Sequence, residues 1–199
     1  MRRRALLLAL AAAGARANAE PRIEVEGEDL VLRDADGREL RRAPGRDLAG
    51  RRHGAPQAVL RHAGRGSVVV AHPALDELWE LLLDPGAPPV FDGYVHDWRM
   101  GEAIATPGWF TPRRIPLAPP MPARWWLDPA WPWVAGASDD AVLVVHLDVR
   151  RVVARLPLAG ALIEESSRAP WDGADAWRLP HAHGTAWIDP RRWTVLQSG

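Results

Sequence analysis

Short apolar stretches separated by glycine-, proline- and aspartate-bearing turns run through most of this chain. Ile23–Glu26 alternates apolar and acidic positions with the period of two that a half-buried strand requires. Leu30–Arg33, the turn Asp34-Ala35-Asp36-Gly37 and Arg38–Leu40 read as a hairpin, because Asp-Gly supplies the positive φ of a tight turn. Ala58–Arg61, Gly64-Arg65-Gly66 and Ser67–Ala71 repeat that design. Trp133–Gly136 leads through Ser138-Asp139-Asp140 into Val142–Asp148, and Val152–Leu156 follows Arg150-Arg151. Gly184–Asp189, Arg191-Arg192 and Trp193–Leu196 form a shorter version of the same unit. Strands at such regular spacing predict an all-β domain, a propeller or a sandwich.

One segment follows a different period. In Pro73–Leu83, Leu75, Leu78, Trp79 and Leu82 stand at helical spacing among good helix formers. Local rules therefore predict a helix, ended by Asp84-Pro85-Gly86. Residues 85–132 are rich in proline and aromatics, and long connections in compact domains tend to carry function.

Composition narrows the chemistry. The chain has 199 residues, 17 glycines, 19 prolines and no cysteine. The absence of cysteine excludes a disulfide framework, an iron–sulfur cluster and covalent c-type heme attachment. Every basic residue is arginine, the formal net charge is zero and no basic stripe is evident, so no nucleic-acid partner is expected. MRRR, the apolar run Ala5–Ala13 and the small-x-small site Ala17-Asn18-Ala19 predict a cleaved signal peptide over residues 1–19. The run is too short to span a bilayer, so the expected product is a periplasmic domain, residues 20–199, with no membrane span.

Residues 76–117, DELWELLLDPGAPPVFDGYVHDWRMGEAIATPGWFTPRRIPL, resemble the heme d1 propeller family. That family includes the d1 domain of cytochrome cd1 nitrite reductase. The resemblance is closer to the non-cytochrome periplasmic proteins of heme d1 biosynthesis. The features that carry it are ELWE before a DP turn, VHD-x-RMGEAIA-x-PG and PRR-x-PL. VAGAS, VVHLDVRR and LPLAG over residues 134–160, and LPH with AWIDPRRW over 179–193, resemble the family's blades. The resemblance spans about residues 28–196 and makes the ELWE segment a strand, which is the expectation adopted here. It implies a partial β-propeller of about four blades, half of an eight-bladed ring. It also implies heme d1 as ligand and a place in nitrite reductase maturation during denitrification. The chain departs from the family after Leu158-Ala159-Gly160, where a histidine-bearing turn is replaced by Ala161–Ser167.

Candidate site residues follow from what the resemblance implies. Heme d1 is planar, apolar and rich in carboxylates, so its pocket needs aromatic walls and arginines. Arg99, Arg113 and Arg114 are the candidates for carboxylate pairing. His96, in Val95-His96-Asp97, is the candidate acid or base. His181, of the pair His181 and His183, is a candidate pocket residue; two histidines alone make no structural zinc site. His146 reads as a tethered strand residue. Trp125, Trp126, Trp131 and Trp133 read as fillers between blades. No nucleophile-elbow, zinc-protease or phosphate-loop motif is present. Asp139-Asp140 and Glu164-Glu165 point to opposite faces of any strand, so they make poor acid–base pairs. The expected role is a heme d1-binding accessory protein. The alternatives are an enzyme acting on a heme d1 precursor, or a propeller-like module without cofactor. Half a ring would expose two terminal blades, so a homodimer or a second half-propeller chain is the expected partner, besides the tetrapyrrole.

Overall fold

A computed structural model describes residues 21–91 and 105–198. Four antiparallel sheets follow one another along the chain, each wound as a meander. Blade 1 has three described strands, β1 (Arg22–Glu26), β2 (Asp29–Arg33) and β3 (Glu39–Ala43). Blade 2 is β4 (Ala58–His62), β5 (Ser67–His72), β6 (Glu77–Leu82) and β9 (Arg113–Pro116). A small hairpin of β7 (Val90–Phe91) and β8 (Ala105–Thr106) interrupts it. Blade 3 is β10 (Arg124–Leu127), β11 (Trp133–Ala137), β12 (Val142–His146) and β13 (Arg151–Leu156). Blade 4 is β14 (Ser167–Trp171), β15 (Ala174–His181), β16 (Gly184–Asp189) and β17 (Thr194–Ser198). Among the described residues there is no α-helix.

Alternation along the central strands builds the propeller. On β5, Val68 and Val70 join Leu30, Leu32 and Trp79 in a core between blades 1 and 2. Their neighbours Val69 and Ala71 face the other way, into a core with Val134, Val145 and Trp125 of blade 3. A third core joins Trp133, Ala135 and Val144 of blade 3 to Trp177, Leu179 and Ile188 of blade 4. Each inner blade is therefore buried on both faces, here by face-to-face stacking of sheets.

Two-sided burial also explains Pro73–Leu83. Pro73–Leu75 is one turn of 3-10 helix, Asp76 takes a left-handed φ of 56°, and β6 runs between β5 and β9. Leu78 faces blade 3 while Trp79 and Leu81 face blade 1, so a helix-like pattern serves two cores. The expected Asp34–Gly37 turn is present: Asp34 Oδ1 accepts from the Asp36 and Arg38 amides, and Gly37 has φ 81°.

The first strands of blades 2 and 3, β4 and β10, lie against each other, and the last strands, β9 and β13, form the outer edges. At one end of the stack, here the upper end, His62 Nε2 donates to the Trp131 carbonyl at 3.0 Å. Arg65 reaches Asp148 at 2.8 Å at the same end. At the lower end the Gly160 amide donates to Asp139 O, and the Ala182 amide to Ala159 O. On blade 1, Arg33 pairs with Glu24 and Glu26, and Arg42 with Glu26, Asp29 and Glu39. Head-to-tail closure of two copies would bury this lattice of charges, so the structure lends the expected ring dimer no support.

Candidate functional site

Two concave regions lie on opposite sides of blades 2 and 3. The larger, of about 470 Å³, opens between the two inner strands. Val59, Leu60 and Arg61 of β4, Trp125, Trp126 and Leu127 of β10, and Glu164 are among the residues that line it. The walls are formed because β4 and β10 meet edge to edge while Ile163, buried in the core of blades 3 and 4, pins the Glu164 turn beneath them. Trp126 is half-buried. Its ring stacks on Trp177 at 5.6 Å and 13°, and sits 5.4 Å from Trp133. The tryptophan cluster thereby fixes an aromatic platform from behind. Arg124 lies 3.9 Å from Glu164.

The smaller cleft, of about 300 Å³, lies at the upper end on the outer side. It is lined by Val90 and Phe91 of β7, Arg113 at the start of β9, and Leu147, Asp148 and Arg150 of the β12–β13 turn. The polar floor beside it is buried. Glu80, 1% exposed, accepts from Arg65 Nε at 2.9 Å and from Ser67 Oγ at 3.0 Å. Arg65 also bridges to Asp148, tying blade 2 to blade 3.

The structure places the expected site residues apart. Arg113 and Arg114 are neighbours on the outermost strand of blade 2 and so face opposite cores. Arg114 turns toward blade 1: Nη1 donates to Glu77 Oε2 at 2.6 Å, and the guanidinium lies 4.4 Å over the Trp79 ring. Its charge is therefore committed locally. Arg113 turns toward blade 3 and the outer cleft. His181 is in blade 4 at the lower end, far along the stack from either. Its Nδ1 accepts from the His183 amide at 3.3 Å, so Nε2 is the donor to Ser198 Oγ at 3.0 Å. His146 accepts from the Asp148 amide in the same way, as a tether. His96, Arg99 and the signal peptide of residues 1–19 lie outside the described residues.

The inner concavity gathers residues that the sequence left unassigned as a site. Arg61 ends an ordinary alternating strand, Trp126 reads as a blade filler, and Glu164 reads as half of a carboxylate pair. Their only sequence signal was the tryptophan-rich run. The lining suits a flat apolar ligand: aliphatic and indole walls, with arginine at the rim. No histidine is among the described lining residues. Among the described residues no group of three or more histidine, cysteine, aspartate or glutamate side chains could hold a metal ion. No helix among them is long and apolar enough to cross a membrane.

No family model and no curated protein matches this chain. Among solved structures it is similar to dihydro-heme d1 dehydrogenase NirN in complex with DHE, at 25% identity and a TM-score of 0.63. The likeness covers 88% of this chain and 35% of that one, so the chain spans about a third of NirN's length. It supports the resemblance to d1-type propellers and does not single out the non-cytochrome periplasmic proteins. A looser likeness, to the AfRom2 CNH domain, has 12% identity and a TM-score of 0.37 over 84% of this chain and 50% of the other.

Proposed function

We propose that this chain is a periplasmic heme d1-binding accessory protein of heme d1 biosynthesis and nitrite reductase maturation. It binds and hands on the tetrapyrrole in the concavity between its inner strands. The observation that carries the reading is the fold likeness to NirN, a protein described as a dihydro-heme d1 dehydrogenase. The lining supports it. Leu60, Trp125, Trp126 and Leu127 offer an apolar surface to a macrocycle, and its volume falls within the roughly 300–1,000 Å³ of cofactor sites. Trp126, backed by Trp177, presents a ring face for stacking. Arg61, which lines the concavity, and Arg124, 3.9 Å from the lining Glu164, are the cations that would pair the ligand's carboxylates.

The residues fit the ring and its carboxylates. They supply no imidazole to iron, so the proposed role is holding the macrocycle and shielding it from water, with no chemical step assigned to the concavity. His96 and Arg99 stand as the proposed acid–base and carboxylate-pairing residues should a precursor be turned over.

Titration of the protein with heme d1, followed by its Soret band, tests the proposal. A saturable shift that Trp126→Ala and Arg61→Ala each weaken is expected. A shift absent at all concentrations would refute it and favour a module without cofactor. Consumption of a precursor, lost in His96→Ala, would move the assignment to an enzyme.

A further inference from the structure

The outer cleft is distinct from the inner concavity, with no lining residue in common. We infer that it is a second binding site, selective for an aliphatic carboxylate, with Arg113 and Arg150 as its anion-recognising groups.

The inference starts from an unusual pairing. Arg113 stands directly across the ladder from Glu80, the position where opposite charges normally meet. Here the Glu80 carboxylate is taken instead by Arg65 and Ser67. The Asp148 carboxylate at the cleft edge is likewise held by Arg65, at 2.8 Å. Both of these acids thus already hold a cation, Arg65. Among the described residues the Arg113 side chain makes no hydrogen bond or ion pair, and neither does that of Arg150. Arg33, Arg42, Arg52, Arg65, Arg114 and Arg155 all meet carboxylates, and among the described arginines that do not, such as Arg46 and Arg178, Arg113 and Arg150 stand out by lining one cleft together.

The backbone adds a second observation. Arg150 has φ 49°, a left-handed conformation that costs a non-glycine residue energy and persists only where the surroundings hold it. That turn places Arg150 at the cleft with Arg113, which comes from another blade. Two planar guanidiniums that line one cleft from separate sheets match a carboxylate better than a point charge would. Val90, Phe91 and Leu147 supply the apolar side, so the favoured ligand carries a short hydrocarbon body behind its acid group. Such an acid arrives either free or as the side arm of a larger molecule, and the test separates the two.

Isothermal titration of the full chain with glutarate is the first arm. Saturable binding is expected, weakened at least about tenfold in Arg113→Ala and in Arg150→Ala, as loss of one charge-assisted contact implies. Dimethyl glutarate, which has the same body without charge, should not bind. Equal binding of the diester, unchanged affinity in both variants, or no binding of glutarate overturns the site. The second arm repeats the heme d1 Soret titration on the same two variants. An unchanged Soret affinity is expected of a separate site for a free acid. A weakened one would show that the arginines hold a side arm of the macrocycle, which overturns the separation but leaves the tetrapyrrole reading standing. Failure of the Soret titration in the unaltered protein, with glutarate binding intact, would remove that reading and leave the cleft. Far-ultraviolet circular dichroism of each variant checks that the sheets are retained.

Discussion

Arg65 and the buried Glu80 form an ion pair, Nε to Oε1 at 2.9 Å, at the upper end of the contact between blades 2 and 3. Glu80 is 1% exposed, and its only other side-chain donor among the described residues is Ser67. Removing the arginine strands a carboxylate in the core, which costs far more than the intact pair contributes. Arg65→Ala should lower the unfolding free energy by about 3 kcal/mol or more, by urea denaturation. The double variant Arg65→Met with Glu80→Gln removes both charges and should recover most of that loss. If the single and double variants were equally unstable, the stranded charge would not be the cause.

His72 and Trp79 make stability depend on pH. The His72 ring is fully buried, 3.9 Å from Trp79, and Nδ1 donates to the Gly54 carbonyl at 3.1 Å. Burial pushes its pKa below 6.5, with the nearby Arg114 adding to the shift and Glu77 and the Gly54 carbonyl opposing it. A folded pKa below the unfolded one means that the unfolded chain takes up the proton first. Stability from this group is therefore complete above about pH 6.5 and drains away as pH falls from there toward the lowered folded value. His72→Phe should flatten the pH dependence of Tm between pH 7 and pH 5 relative to the unaltered protein. A parallel decline in both would assign the effect to other groups.

How far the fold could be read from sequence follows from the same local physics. β1, β2, β5, β12 and β16 were legible because each alternates, or is apolar throughout, beside a turn with glycine or paired aspartates. β9 was hidden in Arg113-Arg114, whose two guanidiniums serve opposite cores of the stack. β10 was hidden in Trp125-Trp126, read as gap filler, although one indole faces blade 2 and the other blade 4. β14 and β15 carry Pro170, Pro180 and Arg178 within their spans, which masks their period. The inner concavity was not legible, because Arg61, Trp126 and Glu164 belong to separate elements that only the radial stacking brings together.

Gly136, on β11, and Trp125 are linked by a tight approach. A Cβ on Gly136 would sit 2.7 Å from the Trp125 ring and 2.7 Å from Pro122. Gly136→Ala should therefore cost about 1–3 kcal/mol through overpacking. Because Trp125 lines the inner concavity, the shift should also weaken heme d1 binding beyond what the stability loss explains. Near-ultraviolet circular dichroism, which reports indole packing, should change while the far-ultraviolet spectrum does not. An unchanged near-ultraviolet spectrum would mean that Pro122 yields instead.

Trp126 and Trp177 stack in parallel but should answer to different assays. Trp177 is fully buried between blades 3 and 4, 5.1 Å from Trp133. Trp177→Ala leaves a large cavity there and should cost about 3–5 kcal/mol. Trp126 keeps part of its surface open to the concavity, so Trp126→Ala forfeits mainly one aromatic pair, about 1 kcal/mol. In the Soret titration the order reverses: Trp126→Ala removes the platform itself, while Trp177→Ala, assayed below its melting range, only loosens its support. Urea denaturation and the heme d1 titration on the two variants should therefore rank them oppositely. The same ranking in both assays would mean that Trp126 is a core residue and that the tetrapyrrole, if bound, lies elsewhere.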